Sequence, residues 1–266
     1  MTNEDEARLP ARIQALTQGL DYRVDQIGLS GSEIRLYDGM VLKIGPHRPD
    51  TENSVRMMRW LSGRLPVPEV LAYEEDREHE YVLMSRVRGK MACDSFYLSR
   101  PKVLIPLLAE GLRMFWSVNI TDCPTRRSLD DELAEARSRV ERGQVAVSRA
   151  EPGTFGPDGF ADPAALLDWL ETHRPPMDPV LSHGDFCLPN IYLEGESVSG
   201  FIDLGSAGVA DRWRDISLCY RSLRHNCDGT YGSRYPDVRP EQLFDALGIA
   251  PDWEKLRYYI LLDELF

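Results

Sequence analysis

The sequence predicts an α+β fold of two lobes, an N-terminal antiparallel β-sheet lobe and a mainly helical C-terminal lobe. Three observations carry this. Short β-like runs crowd the first ninety residues. Helical periodicity dominates the rest. Within the helical part, Leu181–Asp215 (LSHGDFCLPNIYLEGESVSGFIDLGSAGVADRWRD) breaks the pattern with two apolar runs around Glu194-Gly195-Glu196. That is a hairpin signature, entered from a polar loop and leaving at a carboxylate, Asp203.

In chain order, Glu4 to about Leu20 reads as a helix with Leu9, Ile13, Leu16 and Leu20 on one stripe. Strands follow at Tyr22–Ile27, Glu33–Tyr37 and Met40–Ile44, with Asp38-Gly39 as a tight turn. The Gly28–Ser32 linker is small enough for backbone N–H groups to approach phosphates, at Ser30, Gly31 and Ser32. Lys43 stands in an apolar strand and is, with Lys90, one of two lysines in the first ninety residues. Asp50–Arg64 is a helix ended by Pro66 and Pro68. Val70–Tyr73 and Tyr81–Ser85 are strands, and Gly89 marks the change of lobe. Helices are expected over Pro101–Asn119, Leu129–Ala146, Pro163–His173, Trp213–Leu223, Pro240–Leu247 and Asp252–Phe266.

The spacing within Leu181–Asp215 has a chemical meaning. Asp185 and Asn190 are five residues apart, and Asp203 comes from the following strand. Phosphoryl transfer needs a carboxylate to accept a hydrogen bond from the attacking hydroxyl. It also needs an amide oxygen and a second carboxylate to hold Mg²⁺ against the phosphates. Protein kinases meet this with H-R-D-x-x-x-x-N and D-F-G. His183-Gly184-Asp185, Asn190 and Asp203-Leu204-Gly205 fill the same slots. On this plan Asp185 is the catalytic base, Asn190 and Asp203 hold the metal, and Lys43 meets the nucleotide phosphates. The backbone of Met84–Val87, with Ser85 and Val87, meets the adenine. Residues 1–88 form a nucleotide-binding lobe with a hinge near 84–88, and residues 89–266 form a catalytic and substrate-binding lobe. His183 braces the loop. Cys187 has no base beside it and is packing.

HGDxxxxN, FIDLG and the ending YYILLDELF closely resemble the aminoglycoside 3′-phosphotransferases, antibiotic-resistance kinases. The resemblance runs from about Ile27 to Phe266. It implies a protein-kinase-like fold, ATP or GTP with Mg²⁺ as cofactors, and an aminoglycoside hydroxyl, the 3′-OH, as acceptor. It also implies that Asp215 binds loop backbone, and that Asp263, Glu264 and the Phe266 carboxylate hold ammonium groups. Three such anions repel one another unless a cation arrives to neutralise them. The chain departs from the family at several positions. Ser54 stands where a helix Glu pairs with the strand lysine, with Glu52 two residues away. Ser206 replaces an Arg, His225-Asn226 replaces acids, and Trp116 replaces a His. Two rival readings stay open: a kinase for another amine- or hydroxyl-bearing metabolite, and a catalytically silent binding protein of the same fold.

Composition narrows the classes. Forty-three acidic against 31 basic residues give a net charge of −12, which disfavours nucleic acid and suits a cationic substrate. Five cysteines with no CxxC pair read as reduced thiols of a cytoplasmic protein. The start MTNEDEARLP lacks an apolar signal region, and no apolar run reaches membrane-spanning length. The expected state is a monomer or weak dimer.

Overall fold

The structure is a computed structural model, and it describes residues 9–25 and 31–266. The elements, in chain order, begin with α1 (Ala11–Thr17), β1 (Arg23–Asp25), β2 (Glu33–Leu36), β3 (Met40–Pro46), α2 (Pro49–Leu61), β4 (Val70–Glu75), β5 (His79–Ser85) and β6 (Lys90–Met91). Next come α3 (Ser95–Leu98), α4 (Pro101–Trp116), α5 (Leu129–Glu141), α6 (Pro163–Thr172) and β7 (Pro179–Ser182). The chain closes with β8 (Ile191–Glu194), β9 (Ser197–Phe201), β10 (Gly208–Asp211), α7 (Arg212–Cys227), α8 (Gln242–Leu247) and α9 (Trp253–Asp263).

Two compact units divide these elements. Met1–Lys90 and Tyr192–Ser206 form the first, and Met91–Ile191 and Ala207–Phe266 form the second. The stretch around β8 and β9 therefore groups with the sheet that precedes it by a hundred residues.

The first unit is built on an antiparallel sheet of order β1-β2-β3-β5-β4. Successive side chains on a strand face opposite sides. Leu42 is wholly buried in a cluster with Leu9, Ile13, Tyr37, Ala72, Tyr81 and Leu83, so its neighbour Lys43 projects from the other face of the sheet. The α1 helix is shorter than its apolar spacing suggests. Its buried residues are Ile13 and Thr17, with Leu9 buried just before it, and the Thr17 hydroxyl donates to the Ile13 carbonyl at 2.9 Å. Leu16 and Leu20, expected on one stripe with Leu9 and Ile13, are 43% and 42% exposed. Leu16 falls on the flank of a four-residue repeat, and Leu20 lies beyond the helix end. The part of the expected helix before residue 9, and Gly28–Ser30 of the linker, lie outside the described residues.

The second unit is helical around β7 and β10, which pair antiparallel with Leu181 opposite Val209. Helix α4 buries Leu104, Leu108, Leu112 and Phe115, a three-to-four-residue repeat. Helix α7 is buried along most of its length. Asp211 caps it by accepting from the Trp213 amide at 3.0 Å, and the Asp211 carboxylate also takes the Lys255 ammonium at 3.0 Å. Among the described residues no helix is long and apolar enough to cross a membrane.

Candidate functional site

In the first unit, β9 delivers Asp203 into a tight three-residue turn, Leu204–Ser206. Asp203 has φ 61°, the one positive value among the described non-glycine residues. Left-handed backbone is costly for a residue with a Cβ and gathers at functional sites. The Asp203 carboxylate lies 3.8 Å from Lys43 Nζ. Gly205 is required by close approach: a Cβ there would meet Asp50 Cβ at 3.0 Å and the Asp50 carbonyl at 3.1 Å.

Asn53 locks the turn from α2, donating to the Gly205 carbonyl at 2.8 Å. Sequence reasoning missed it, yet a signal existed. Asn53, Met57 and Leu61 are all buried at four-residue spacing, and an amide on an apolar stripe needs a buried partner. Glu52, the alternative partner for Lys43, is instead engaged by Arg56 at 2.5 Å on the solvent side of α2.

Of the phosphate-loop residues, Gly31 has φ +69° and the Ser32 hydroxyl packs against Gly45 of β3, while Ser30 lies outside the described residues. In the adenine segment, the Ser85 amide donates to Glu69 O at 2.9 Å and its hydroxyl accepts from Glu69 N at 2.8 Å. Ser85 therefore spends both groups on Glu69. Val87 packs its side chain against Gly200.

In the second unit, β7 leads directly into His183-Gly184-Asp185. Asp215, wholly buried in the first turn of α7, holds this corner. It accepts from Ser182 Oγ at 2.9 Å, His183 N at 2.8 Å and Gly184 N at 2.9 Å. Burial raises the Asp215 carboxyl pKa, and these donors oppose the rise. His183 is also buried, and its Nδ1 accepts from the Asp185 amide at 3.3 Å. The half-buried Asp185 carboxylate accepts from Asn190 Nδ2 at 2.8 Å, and the Asp185 carbonyl takes the same nitrogen at 3.0 Å. Burial and the neighbouring Asp185 push the Cys187 thiol well above its ordinary value, which leaves it protonated and inert.

The C-terminal anions are not left to repel one another. Arg221 of α7 binds Asp263 and lies 3.6 Å from Glu264. Arg139 of α5 donates to the Phe266 terminal oxygen and to Leu265 O at 2.9 Å. The expectation that only an arriving cation relieves this cluster is therefore corrected, since two arginines already do so. Spacing along the chain could not reveal partners 42 and 127 residues away. Glu264 also accepts from the Glu151 amide at 3.1 Å, and burial raises its pKa to about 6. The Glu151 carboxylate is itself shared by Arg224 at 2.5 Å and His225 at 2.9 Å. A cavity of about 480 Å³ opens beside it, lined by Asp158, Phe160, Trp169 and Leu261 among others.

Comparison with known proteins identifies the family and the fold. Residues 21–259 match the family model of the phosphotransferase enzyme family APH. The chain is 36% identical over 278 residues to an aminoglycoside 3′-phosphotransferase of Niallia circulans, covering 99% of this chain and 100% of that protein. It is 42% identical over 222 residues to one of Enterococcus faecalis, covering 82% and 79%. Among solved structures, aminoglycoside phosphotransferase APH(3'')-Id of Streptomyces rimosus superposes with a TM-score of 0.81 at 25% identity, covering 100% and 99% of the two chains. That protein has also been solved in complex with ADP and streptomycin. An aminoglycoside-3'-phosphotransferase of type VIII gives a TM-score of 0.78 at 27% identity, covering 96% and 98%. The chain therefore belongs to the phosphotransferase enzyme family APH, among the aminoglycoside 3′-phosphotransferases, and has their protein-kinase-like fold.

Proposed function

We propose that this protein transfers the γ-phosphoryl group of ATP to a hydroxyl of an aminoglycoside, the 3′-hydroxyl. The observation that carries the reading is the Asp185 carboxylate, held by Asn190 at 2.8 Å in a loop braced by Asp215. A carboxylate fixed in this way can accept a hydrogen bond from the acceptor hydroxyl and orient its oxygen toward the γ-phosphorus. The new O–P bond forms as the bond to the β-phosphate oxygen breaks, the hydroxyl proton passes to the Asp185 carboxylate, and the nucleoside diphosphate leaves.

Lys43 is assigned to the phosphates, and the backbone of Ser85 and Val87 to the base. Gly31 and Ser32, with Ser30, are assigned to the phosphate loop. Asn190 and Asp203 suit Mg²⁺, because each offers a hard oxygen. The Asn190 nitrogen is spent on Asp185, which leaves its oxygen as the group to offer. Among the described residues there is no group of three or more His, Cys, Asp or Glu able to hold a metal. When bound, Mg²⁺ would neutralise charge on the phosphates. Asp263, Glu264 and the Phe266 carboxylate are assigned to the ammonium groups of the sugar, in competition with Arg221 and Arg139. A net charge of −12 supports a cationic substrate.

A coupled assay of nucleoside-diphosphate release, run across an aminoglycoside panel with ATP and with GTP, tests the reading. Release is expected only with acceptors that carry a free 3′-hydroxyl. Release that is independent of any aminoglycoside, or absent with all of them, would count against it.

A further inference from the structure

The Gly184–Asp185 peptide is fixed by groups outside the motif. Gly184 has φ +80°, and a glycine so placed imposes little orientation on the peptide that follows. That peptide carries the Gly184 carbonyl at one end and the Asp185 amide at the other. The amide donates to His183 Nδ1 at 3.3 Å, and the carbonyl accepts from Arg214 Nε at 3.2 Å. Arg214 is buried beside Asp215. Its Nη1 lies 2.5 Å from Glu132 Oε1 on α5, and Arg127 approaches the same oxygen at 3.9 Å. Glu132 is only 3% exposed. A buried guanidinium must have both a counter-charge and acceptors for its donors. Glu132 supplies the first, and the loop carbonyl is one of the second.

Asp215 already satisfies the amides of His183 and Gly184. Arg214 adds what Asp215 cannot, a hold on the carbonyl one bond from the Asp185 amide. We propose that Arg214, anchored by Glu132, is a positioning residue that sets the Gly184–Asp185 peptide plane and so aims the Asp185 carboxylate at the acceptor hydroxyl. This rests on the assignment of Asp185 as the catalytic carboxylate. Releasing the carbonyl lets the peptide rotate and swings the Asp185 side chain, and a misplacement of about an ångström can cost as much as ~100-fold in rate.

The test compares Arg214→Lys and Arg214→Met, each alone and combined with Asp185→Asn. Turnover is followed with radiolabelled ATP, and rates are normalised to nucleotide-binding stoichiometry so that misfolded protein does not count. Arg214→Lys keeps a charge opposite Glu132 but loses the planar fork that reaches both partners. It is expected to stay folded, hold both KM values within about twofold and lose about tenfold in kcat, with Arg214→Met losing more. On top of Asp185→Asn, Arg214→Lys is expected to cost nothing further. If folded Arg214→Lys keeps its kcat, or if its loss multiplies with that of Asp185→Asn, the proposal is overturned. Should Arg214→Met fail to fold, Arg214→Lys decides by the same criteria. An Asp185→Asn single variant with wild-type kcat would instead overturn the assignment of Asp185, a result read without any Arg214 variant.

Discussion

The Lys43 ammonium lies 3.8 Å from the Asp203 carboxylate, although 160 residues separate them. A lysine on one strand and a left-handed aspartate after another are thereby joined, with Glu52 turned to Arg56 instead. Lys43→Ala is therefore expected to raise the nucleotide KM about tenfold, and Glu52→Ala to leave it unchanged. Asp203→Ala should weaken Mg²⁺-ATP binding more than Asn190→Ala, because an anionic oxygen holds the cation harder than an amide oxygen does. Steady-state kinetics of Lys43→Ala and Glu52→Ala, with titration calorimetry of Asp203→Ala and Asn190→Ala, checks the order. Equal losses for Lys43→Ala and Glu52→Ala would assign the pairing role to Glu52.

Asn53 and Gly205 give a stability prediction. Asn53→Leu leaves the Gly205 carbonyl without its donor, a cost of about 1–3 kcal/mol. Gly205→Ala drives a methyl into the α2 backbone at Asp50 and should destabilise further. Urea denaturation measures both. Asn53→Leu at wild-type stability would show that the 2.8 Å bond contributes nothing.

Much of this was legible in the sequence, and the remainder shares one character. Lys43, Asp185, Asn190 and Asp203 could be proposed from the sequence because their types and order fit the phosphoryl-transfer plan. The strands of the first unit and the long helices follow from local periodicity. Asn53, Arg139, Arg214 and Arg221 do not, because each takes its role from a partner brought close only by folding. The exposed Leu16 and Leu20 fail for the converse reason, since tertiary packing on Leu9 and Ile13 chose a narrower stripe than hydrophobicity alone would draw.

Glu264 predicts a pH dependence. Burial raises its pKa to about 6, above the ~4.3 of a glutamate in an unfolded chain. The folded state then holds a proton that the unfolded state has lost. The resulting stabilisation is present at low pH and disappears as pH rises through about 6. Glu264→Gln abolishes this titration. Its urea midpoint should improve relative to wild type between about pH 4.5 and 7, and a difference that does not change with pH would contradict the assignment.

Arg221 divides the roles of the two acids it binds. Arg221→Ala strands Asp263 and Glu264 together and should cost about 3 kcal/mol of stability. Asp263→Ala leaves Arg221 paired with Glu264, so it should fold well and raise the aminoglycoside KM about tenfold. The ATP KM should not move, and the effect should shrink at high ionic strength. Steady-state kinetics at two salt concentrations measures this. An unaltered aminoglycoside KM would remove Asp263 from the substrate site.

The most direct test of the account is the turnover of Asp185→Asn. Asparagine keeps the shape of the side chain but cannot act as a base. The account predicts a fall in kcat of about 10³-fold, with ATP affinity by calorimetry within about twofold of wild type and an unchanged melting temperature. A folded Asp185→Asn protein that keeps most of its kcat would contradict the account at its centre.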